Sequence, residues 1–301
     1  MSLTCRSSIA QTRVLFDNFS ISGLLDTWHW KLDPFRVSGD TDWQPDVVIR
    51  NADDPADQTQ ECIPGVLSNE SSGFFRREVL RAIDGSTIWR FVRNISDEVY
   101  LAYRVSPDFR EVTLLTDKTE SAGTIAFEYL NQIMPAVQLA QGVLTFHSAL
   151  LEWDGGSFAV CADSGTGKTT HARLWRDCKN ALILNGDRGV FRKTENGWTA
   201  WGTPWSGTSG EQINRSAPMK ALVVLERGSR NKVRRLTPPE AFRAIFPHLL
   251  YPTWDKQLAI QAMDLLDDLL CSVPAYRLTC RPDAEAVEIL HQAIYGEHHE
   301  N

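Results

Sequence analysis

The chain lacks any apolar run approaching the roughly 18 residues that a membrane span requires, so no membrane-spanning helix is expected. It also lacks a C-x-x-C pair, because its six cysteines (Cys5, Cys62, Cys161, Cys178, Cys271 and Cys280) are scattered. Such spacing argues against a zinc site or a disulfide framework and fits thiols kept reduced. Cys161 and Cys280 fall in stretches that read as strands, where a free cysteine usually acts as a small apolar residue. Positive charge is short as well. Against 31 Lys and Arg stand 38 Asp and Glu, a formal net charge of −7. That balance argues against broad binding to nucleic acid or to an anionic membrane. The first residues, MSLTCRSSIAQTR, have no apolar signal-peptide core, and a cytoplasmic location is expected. Internal repeats and low-complexity segments are absent. What remains is an ordinary globular composition, 43% apolar and 23% charged over 301 residues. This is enough for one large domain or two modest ones.

Residues 1–120 read as a β-rich domain. Leu24 to Asp42 sets Trp28, Trp30 and Phe35 among polar residues, a pattern expected of half-buried strands. NADDPADQTQ, from Asn51 to Gln60, reads as an acidic surface loop. Arg76 to Ala82 and Ser86 to Val92 flank Ile83-Asp84-Gly85 as a hairpin, and Val99 to Val105 with Glu111 to Leu115 forms another pair. No chemistry-bearing motif occurs here, so packing, oligomerisation or partner recognition is the expected role. Residues 121–142 then carry helical periodicity, with Ile125, Phe127, Leu130, Ile133, Met134, Val137 and Leu139 on one broad face. Pro135 is expected to kink or divide this connecting helix.

The rest, 143–301, is organised around CADSGTGKTTHARLW, Cys161 to Trp175. Phe158 to Cys161 reads as a buried strand. Lys168 to Cys178 reads as a helix, with Ala172, Trp175 and Cys178 spaced to share a face. A glycine turn between a strand and a helix aims backbone N–H groups and the positive end of the helix dipole at an anion. Asp163, Ser164, Gly165, Thr166, Gly167, Lys168, Thr169 and Thr170 are therefore expected to cradle phosphates. Lys168 would reach the β/γ-phosphates and the Thr169 hydroxyl would ligate Mg²⁺. The motif G-x-x-x-x-G-K-[ST] is met except at its first position, which is Ala162.

Two more residues extend that reading. His147 lies on the strand Val143 to Trp153, where a lone histidine is more often structural than catalytic. Asp187 ends the apolar strand Ala181 to Leu184, the place from which nucleotide enzymes reach Mg²⁺. Farther on, Gly202-Thr203-Pro204-Trp205-Ser206-Gly207-Thr208-Ser209-Gly210 reads as a mobile lid, a substrate floor or a surface linker. Thr237-Pro238-Pro239-Glu240 is a capping box opening a helix through about Leu250. A helix from Asp255 to Cys271, a strand from Ala275 to Cys280 and a helix from Asp283 to Tyr295 complete the pattern.

The ordered set Phe146-His147-Ser148-Ala149, Asp163 to Thr170 and Gly186-Asp187-Arg188 resembles the catalytic domain of HPr kinase/phosphorylase. That family is related to ATP-dependent phosphoenolpyruvate carboxykinase, whose loop Ser164 to Thr170 is especially like. Gly202-Thr203-Pro204-Trp205-Ser206-Gly207 and Ala275-Tyr276-Arg277-Leu278 resemble bacterial HPr-kinase-like serine kinases, some associated with modified-peptide biosynthesis. The likeness covers roughly Leu144 to Tyr295. It implies an α+β or α/β P-loop kinase domain, preceded here by the smaller β-rich domain. It further implies a bacterial phosphotransferase using ATP and Mg, which moves the γ-phosphoryl group to a serine-type hydroxyl of a peptide, small protein or metabolite. Lys168 and the surrounding amides would hold the phosphates, and Thr169 and Asp187 the metal. Asp187, His147 and Arg188 would be catalytic. Asp187 falls on the second of the family's two adjacent acids, with Gly186 where the first would be. The charge balance and the lack of an apolar span point to no nucleic-acid or membrane partner, and the resemblance leaves a homo-oligomer open. The alternative is a nucleotide-binding regulatory module with weak or no catalysis. Carboxykinase-like metabolism is disfavoured because the chain is short and carries no matching substrate constellation.

Overall fold

The computed structural model describes residues 2–20, 29–38, 42–52, 62–71, 73, 75–117 and 124–296. The chain divides into two units, Met1–Gln141 with Pro252–Ala259, and Gly142–Tyr251 with Ile260–Asn301. Each contains one large sheet, so the protein is mixed α+β. No helix among the described residues is long and apolar enough to cross a membrane.

The first unit is built on β1 (Ser2–Ile9), β2 (Thr12–Ser20), a short helix α1 (His29–Leu32), β3 (Val47–Asn51), β4 (Cys62–Ser71), β5 (Phe75–Ala82), β6 (Thr87–Arg93), β7 (Val99–Val105) and β8 (Glu111–Asp117). Its strand order is β1-β2-β3-β8-β7-β6-β5-β4. Only the β2–β3 and β3–β8 pairings are parallel. The two expected hairpins are present as β5–β6 and β7–β8. Over Leu24 to Asp42 half-buried strands are expected, and in the part of that range that is described, 29–38 and 42, a helix and a 3-10 turn form instead. α1 runs directly into a 3-10 turn, Asp33–Phe35, that carries Pro34 near its start. Leu32 and Phe35, three residues apart on one helical side, are both fully buried. Trp28 lies outside the described residues, as does most of the acidic segment after Ala52.

α2 (Thr124–Ala140) belongs to this unit by its contacts. It remains one helix across Pro135 rather than dividing. An interior proline costs about 3 kcal/mol. Phe127, Leu130, Ile133, Met134 and Val137 are each at most 1% exposed, and each such burial contributes roughly 1.5–3 kcal/mol, so packing outweighs the break. Phe127 meets Phe16 at 6.2 Å between ring centroids, and the Tyr103 hydroxyl donates to the Ala126 carbonyl at 2.5 Å.

The second unit comprises β9 (Val143–Trp153), β10 (Gly156–Cys161), α3 (Lys168–Lys179), β11 (Leu182–Asn185), β12 (Arg188–Thr194), β13 (Gly197–Trp201), β14 (Ser216–Arg227), β15 (Lys232–Arg235), α4 (Pro238–Ile245), α5 (Lys256–Ser272), β16 (Ala275–Cys280) and α6 (Ala284–Tyr295). α5 begins in the segment assigned to the first unit. β10, β14 and β16 are neighbouring parallel strands. β9 is shared between partners. His147 to Val143 pair antiparallel with β12, whereas Ser148 to Trp153 pair with β10, and Leu150 to Glu152 also pair with β11 on the other edge.

α3 lies against this sheet through His171, Ala172 and Trp175. Cys178, expected on the same face, is exposed. At 100° per residue it has turned about 120° from Ala172, beyond the stripe that a sheet can cover. The Trp175 ring meets Phe158 at 4.5 Å between centroids, and Ala286, Val287 and Leu290 of α6 join the same cluster. α4 begins with the expected box, the Thr237 amide donating to the Glu240 carboxylate at 3.0 Å. It stops at Ile245 and gives way to a 3-10 turn, Phe246–His248, because Pro247 cannot donate the amide that would continue it.

Trp175 is fully buried at the centre of this layer. Trp175→Ala is therefore expected to lower unfolding stability by about 3–5 kcal/mol, measured by denaturant titration. A loss below about 1 kcal/mol would show that α3 is not held by this ring.

Candidate functional site

The turn between β10 and α3 has the conformation its glycines permit. Gly165 and Gly167 sit at φ +77° and +124°, in the left-handed region that side-chain-bearing residues seldom enter. Gly167 is the N-cap of α3 and no side chain caps the helix. The first-turn amides therefore have no intrahelical acceptor and face the end where the helix dipole favours an anion. Asp163, Ser164, Gly165 and Thr170 are exposed, and Thr166, Gly167 and Thr169 half-buried. Inside the turn the Thr166 amide donates to the Asp163 carbonyl at 3.2 Å.

Lys168 does not extend into solvent. Its side chain is folded back, Nζ donating to the Ala162 carbonyl at 2.6 Å and lying 3.0 Å from Nε2 of His147. A protonated lysine can only donate, so Nε2 accepts and the ring proton belongs on Nδ1. That nitrogen faces Oδ1 of Asp187 at 3.3 Å, and Oδ2 of Asp187 lies 3.2 Å from Nε of Arg188. Lys168, His147, Asp187 and Arg188 thus form a continuous polar chain. Burial lowers the Lys168 pKa, partly opposed by Asp187, Cys161 and Asp163. At Asp187 burial acts to raise the pKa, but the His147 hydrogen bond and the charges of Arg188, His147 and Lys168 prevail and hold it below the usual carboxylate value. The stability this pairing contributes is present above the unfolded pKa and is lost as pH falls through the lower folded one.

Strand register brings these groups together. His147 is the last β9 residue paired with β12, directly opposite Arg188, and the next amide, that of Ser148, donates to the Asp187 carbonyl at 3.1 Å. Asn185, which the sequence reading left without a role, fixes the bend between β11 and β12. Fully buried, its Oδ1 accepts from the Asp187 and Arg188 amides at 2.9 and 2.7 Å. Its Nδ2 donates to the Thr203 and Trp205 carbonyls at 3.2 and 2.9 Å. The loop beginning at Gly202 thus packs as a floor beneath the bend and is not a surface linker: Thr203, Trp205 and Ser206 are at most 2% exposed. Another unassigned residue, His248, is buried near the same chain. The Leu250 amide donates to the Thr145 carbonyl at 2.9 Å and Leu249 bridges Phe146, which sets the preceding 3-10 turn alongside β9. Burial depresses the His248 pKa, with Asp163 acting upward and Lys168 and His147 downward. Only the Phe-Pro-His run after a capped helix hinted at it.

The missing second acid has a steric cause. A Cβ at Gly186 would lie 2.1 Å from Oγ of Ser209, which itself donates to the Ser206 carbonyl at 2.7 Å. The floor loop fills the space that a side chain at 186 would need. No hydrogen bond joins Thr169 to Asp187 among the described residues. Nor do those residues contain a group of three or more His, Cys, Asp or Glu side chains able to hold a metal ion.

Fold and site define a mixed α+β protein with a glycine turn joining a central strand to a helix, beside a Lys–His–Asp chain. The chain belongs to the family described as SynChlorMet cassette protein ScmC, whose model matches residues 114–281. No curated protein matches it. Among solved structures it is similar to the Hpr(Ser) kinase/phosphatase from Coxiella burnetii, at 11% identity and a TM-score of 0.30, covering 50% of this chain and 94% of that one. A likeness of that degree says nothing of activity.

Gly186→Asp, which would restore the paired acids, is expected to destabilise the protein by roughly 1–3 kcal/mol through overpacking. Ser209→Gly should recover much of that loss in the double variant, read by thermal unfolding. Equal stability of Gly186→Asp and the parent would disprove the steric account.

Proposed function

We propose that the chain is an ATP-dependent kinase that transfers the γ-phosphoryl group to a serine-type hydroxyl of a peptide, small protein or metabolite. The observation that carries this reading is the placement of His147 between Lys168 and Asp187, at the mouth of the glycine turn. The turn fits a polyphosphate, since it offers uncapped helix amides, two left-handed glycines and a lysine already at the spot. Mg²⁺ commonly takes only one or two protein ligands and completes its shell with phosphate and water. Thr169 and Asp187 suffice as that pair, and the ion would supply charge neutralisation on the transferring group.

Lys168 has a different partner in each state. With phosphates bound it turns to them and leaves Nε2 of His147 open to take the acceptor hydroxyl's proton. Asp187 holds the Nδ1–H tautomer that makes this nitrogen basic, as a carboxylate does for a catalytic imidazole. The His147 hydrogen bond and the Arg188 charge keep Asp187 ionised. Phosphoryl transfer passes through a loose transition state, so positioning and charge neutralisation matter more than a strong base. A single acid at Asp187 is then enough, and Gly186 is no bar to catalysis.

One observation favours a second reading. The space beside Gly186 is filled by Ser209, as it would be in a nucleotide-binding regulatory module that had given up the second acid.

The two readings separate in one set of assays with labelled ATP, Mg²⁺ and serine-containing acceptors. Lys168→Ala is expected to weaken ATP binding roughly 10–100-fold, the worth of a charge-assisted hydrogen bond. Asp187→Asn is expected to leave binding nearly intact while lowering transfer by about 10²–10⁴-fold. Failure to label any hydroxyl while nucleotide affinity is normal, together with full biological activity of Asp187→Asn, favours the regulatory module and ends the kinase reading.

A further inference from the structure

One buried titratable group beside the Lys168–His147–Asp187 chain takes no part in the proposed transfer. His248 closes the 3-10 turn Phe246–His248 that follows α4, and is 7% exposed. Strand register sets where it stands. Leu249 bridges Phe146 antiparallel, and the Leu250 amide donates to the Thr145 carbonyl. One step back from that bridge the two chains carry His248 and His147. The second imidazole is thereby brought to the mouth of the glycine turn. The charged groups that act on it there come from three elements: Asp163 of the turn, Lys168 of α3 and His147 of β9.

His248 is also without a partner. No group among the described residues hydrogen-bonds to its ring, although buried polar groups are normally paired. Neither ring nitrogen is closed to solvent, and a ligand oxygen can meet one of them. In the empty protein burial disfavours the charged ring, with Asp163 opposing and Lys168 and His147 adding to the effect. A triphosphate in the turn reverses that balance. It brings several negative charges to the neighbourhood of Lys168, and an opposite charge close by favours the protonated imidazole.

We infer that His248 takes up a proton from solvent when a nucleoside triphosphate fills the turn, and as imidazolium donates a hydrogen bond to an oxygen of the terminal phosphoryl group; this rests on the kinase reading given above. Lys168 and His248 then hold the transferring group together, while His147 stays free for the acceptor hydroxyl. The proton returns to solvent when the charge leaves with the products. Nucleotide affinity thereby becomes linked to protons. It rises as pH falls through the interval between the pKa of His248 in the complex and its lower pKa in the free protein, and is level outside that interval.

Calorimetry of the full chain with Mg²⁺–ATP and with Mg²⁺–ADP tests this. Titrations at about pH 7, close above the ordinary imidazole value, in two buffers of different ionisation enthalpy count the protons bound. ATP is expected to take up roughly 0.3–1 proton more than ADP, the fraction that one imidazole supplies near its pKa. His248→Gln keeps a hydrogen-bonding side chain but cannot titrate. It should remove that excess and weaken ATP roughly 10–100-fold, the worth of a charged hydrogen bond, with little change for ADP. A merely structural role would weaken both nucleotides alike and leave the excess in place. Equal uptake with ATP and ADP in the unaltered chain overturns the role of His248, leaves the kinase reading standing, and requires no variant to fold. An excess that survives His248→Gln belongs to another group and overturns it as well. Binding of neither nucleotide removes the kinase reading, and this inference with it.

Discussion

The register between β9 and β12 is the constraint on which the site depends. His147 pairs opposite Arg188, and Asp187 reaches the imidazole from the bend immediately before that pair. Asn185 reinforces that geometry from beneath, holding two amides of the bend and two carbonyls of the floor loop with one fully buried side chain. A shift of one residue in the pairing would turn the β12 side chains to the other face and take Arg188 from its place opposite His147. The His147–Asp187–Arg188 cluster is therefore anchored in strand pairing, whereas Lys168 joins it through a long side chain.

Gly186 illustrates how a neighbouring loop can decide the composition of a site. The floor loop reaches Asp187 as well: a Cβ on Gly207 would lie 2.7 Å from its Cγ. Space on both sides of Asp187 is thus taken by backbone and a small serine, and one carboxylate is what the pocket can hold. For the proposed phosphoryl transfer, whose barrier would fall mainly through positioning and neutralised charge, a lone acid held ionised by its His147 hydrogen bond and the Arg188 charge would suffice.

Much of this was legible in the sequence, for physical reasons that differ from element to element. The glycine turn was readable because only glycine tolerates the φ values found at 165 and 167, and because the strand and helix flanking it have clear periodicity. The hairpin around Asp84-Gly85 announced itself through its turn residues. α1 was missed because four helical residues are too few to establish a period, and aromatic residues among polar ones suggest a strand as readily. The continuity of α2 through Pro135 was hidden because tertiary burial overrode a local rule. His248 and Asn185 escaped notice for a related reason: their importance comes from long-range pairing, Leu250 to Thr145 and Asn185 to the floor loop, which no spacing along the chain records.

We propose that Lys168, which meets Nε2 of His147, turns to the phosphates as they bind, and the kinase reading rests on that step. Nitrogen-15 NMR of the His147 ring, recorded without nucleotide and at saturation with Mg²⁺ and a non-hydrolysable ATP analogue, reads this directly. The expected result is a protonated Nδ1 in both states, with Nε2 losing the signature of a strong hydrogen bond to Lys168 as the analogue binds. Ring nitrogen resonances that stay the same at full occupancy would contradict the account.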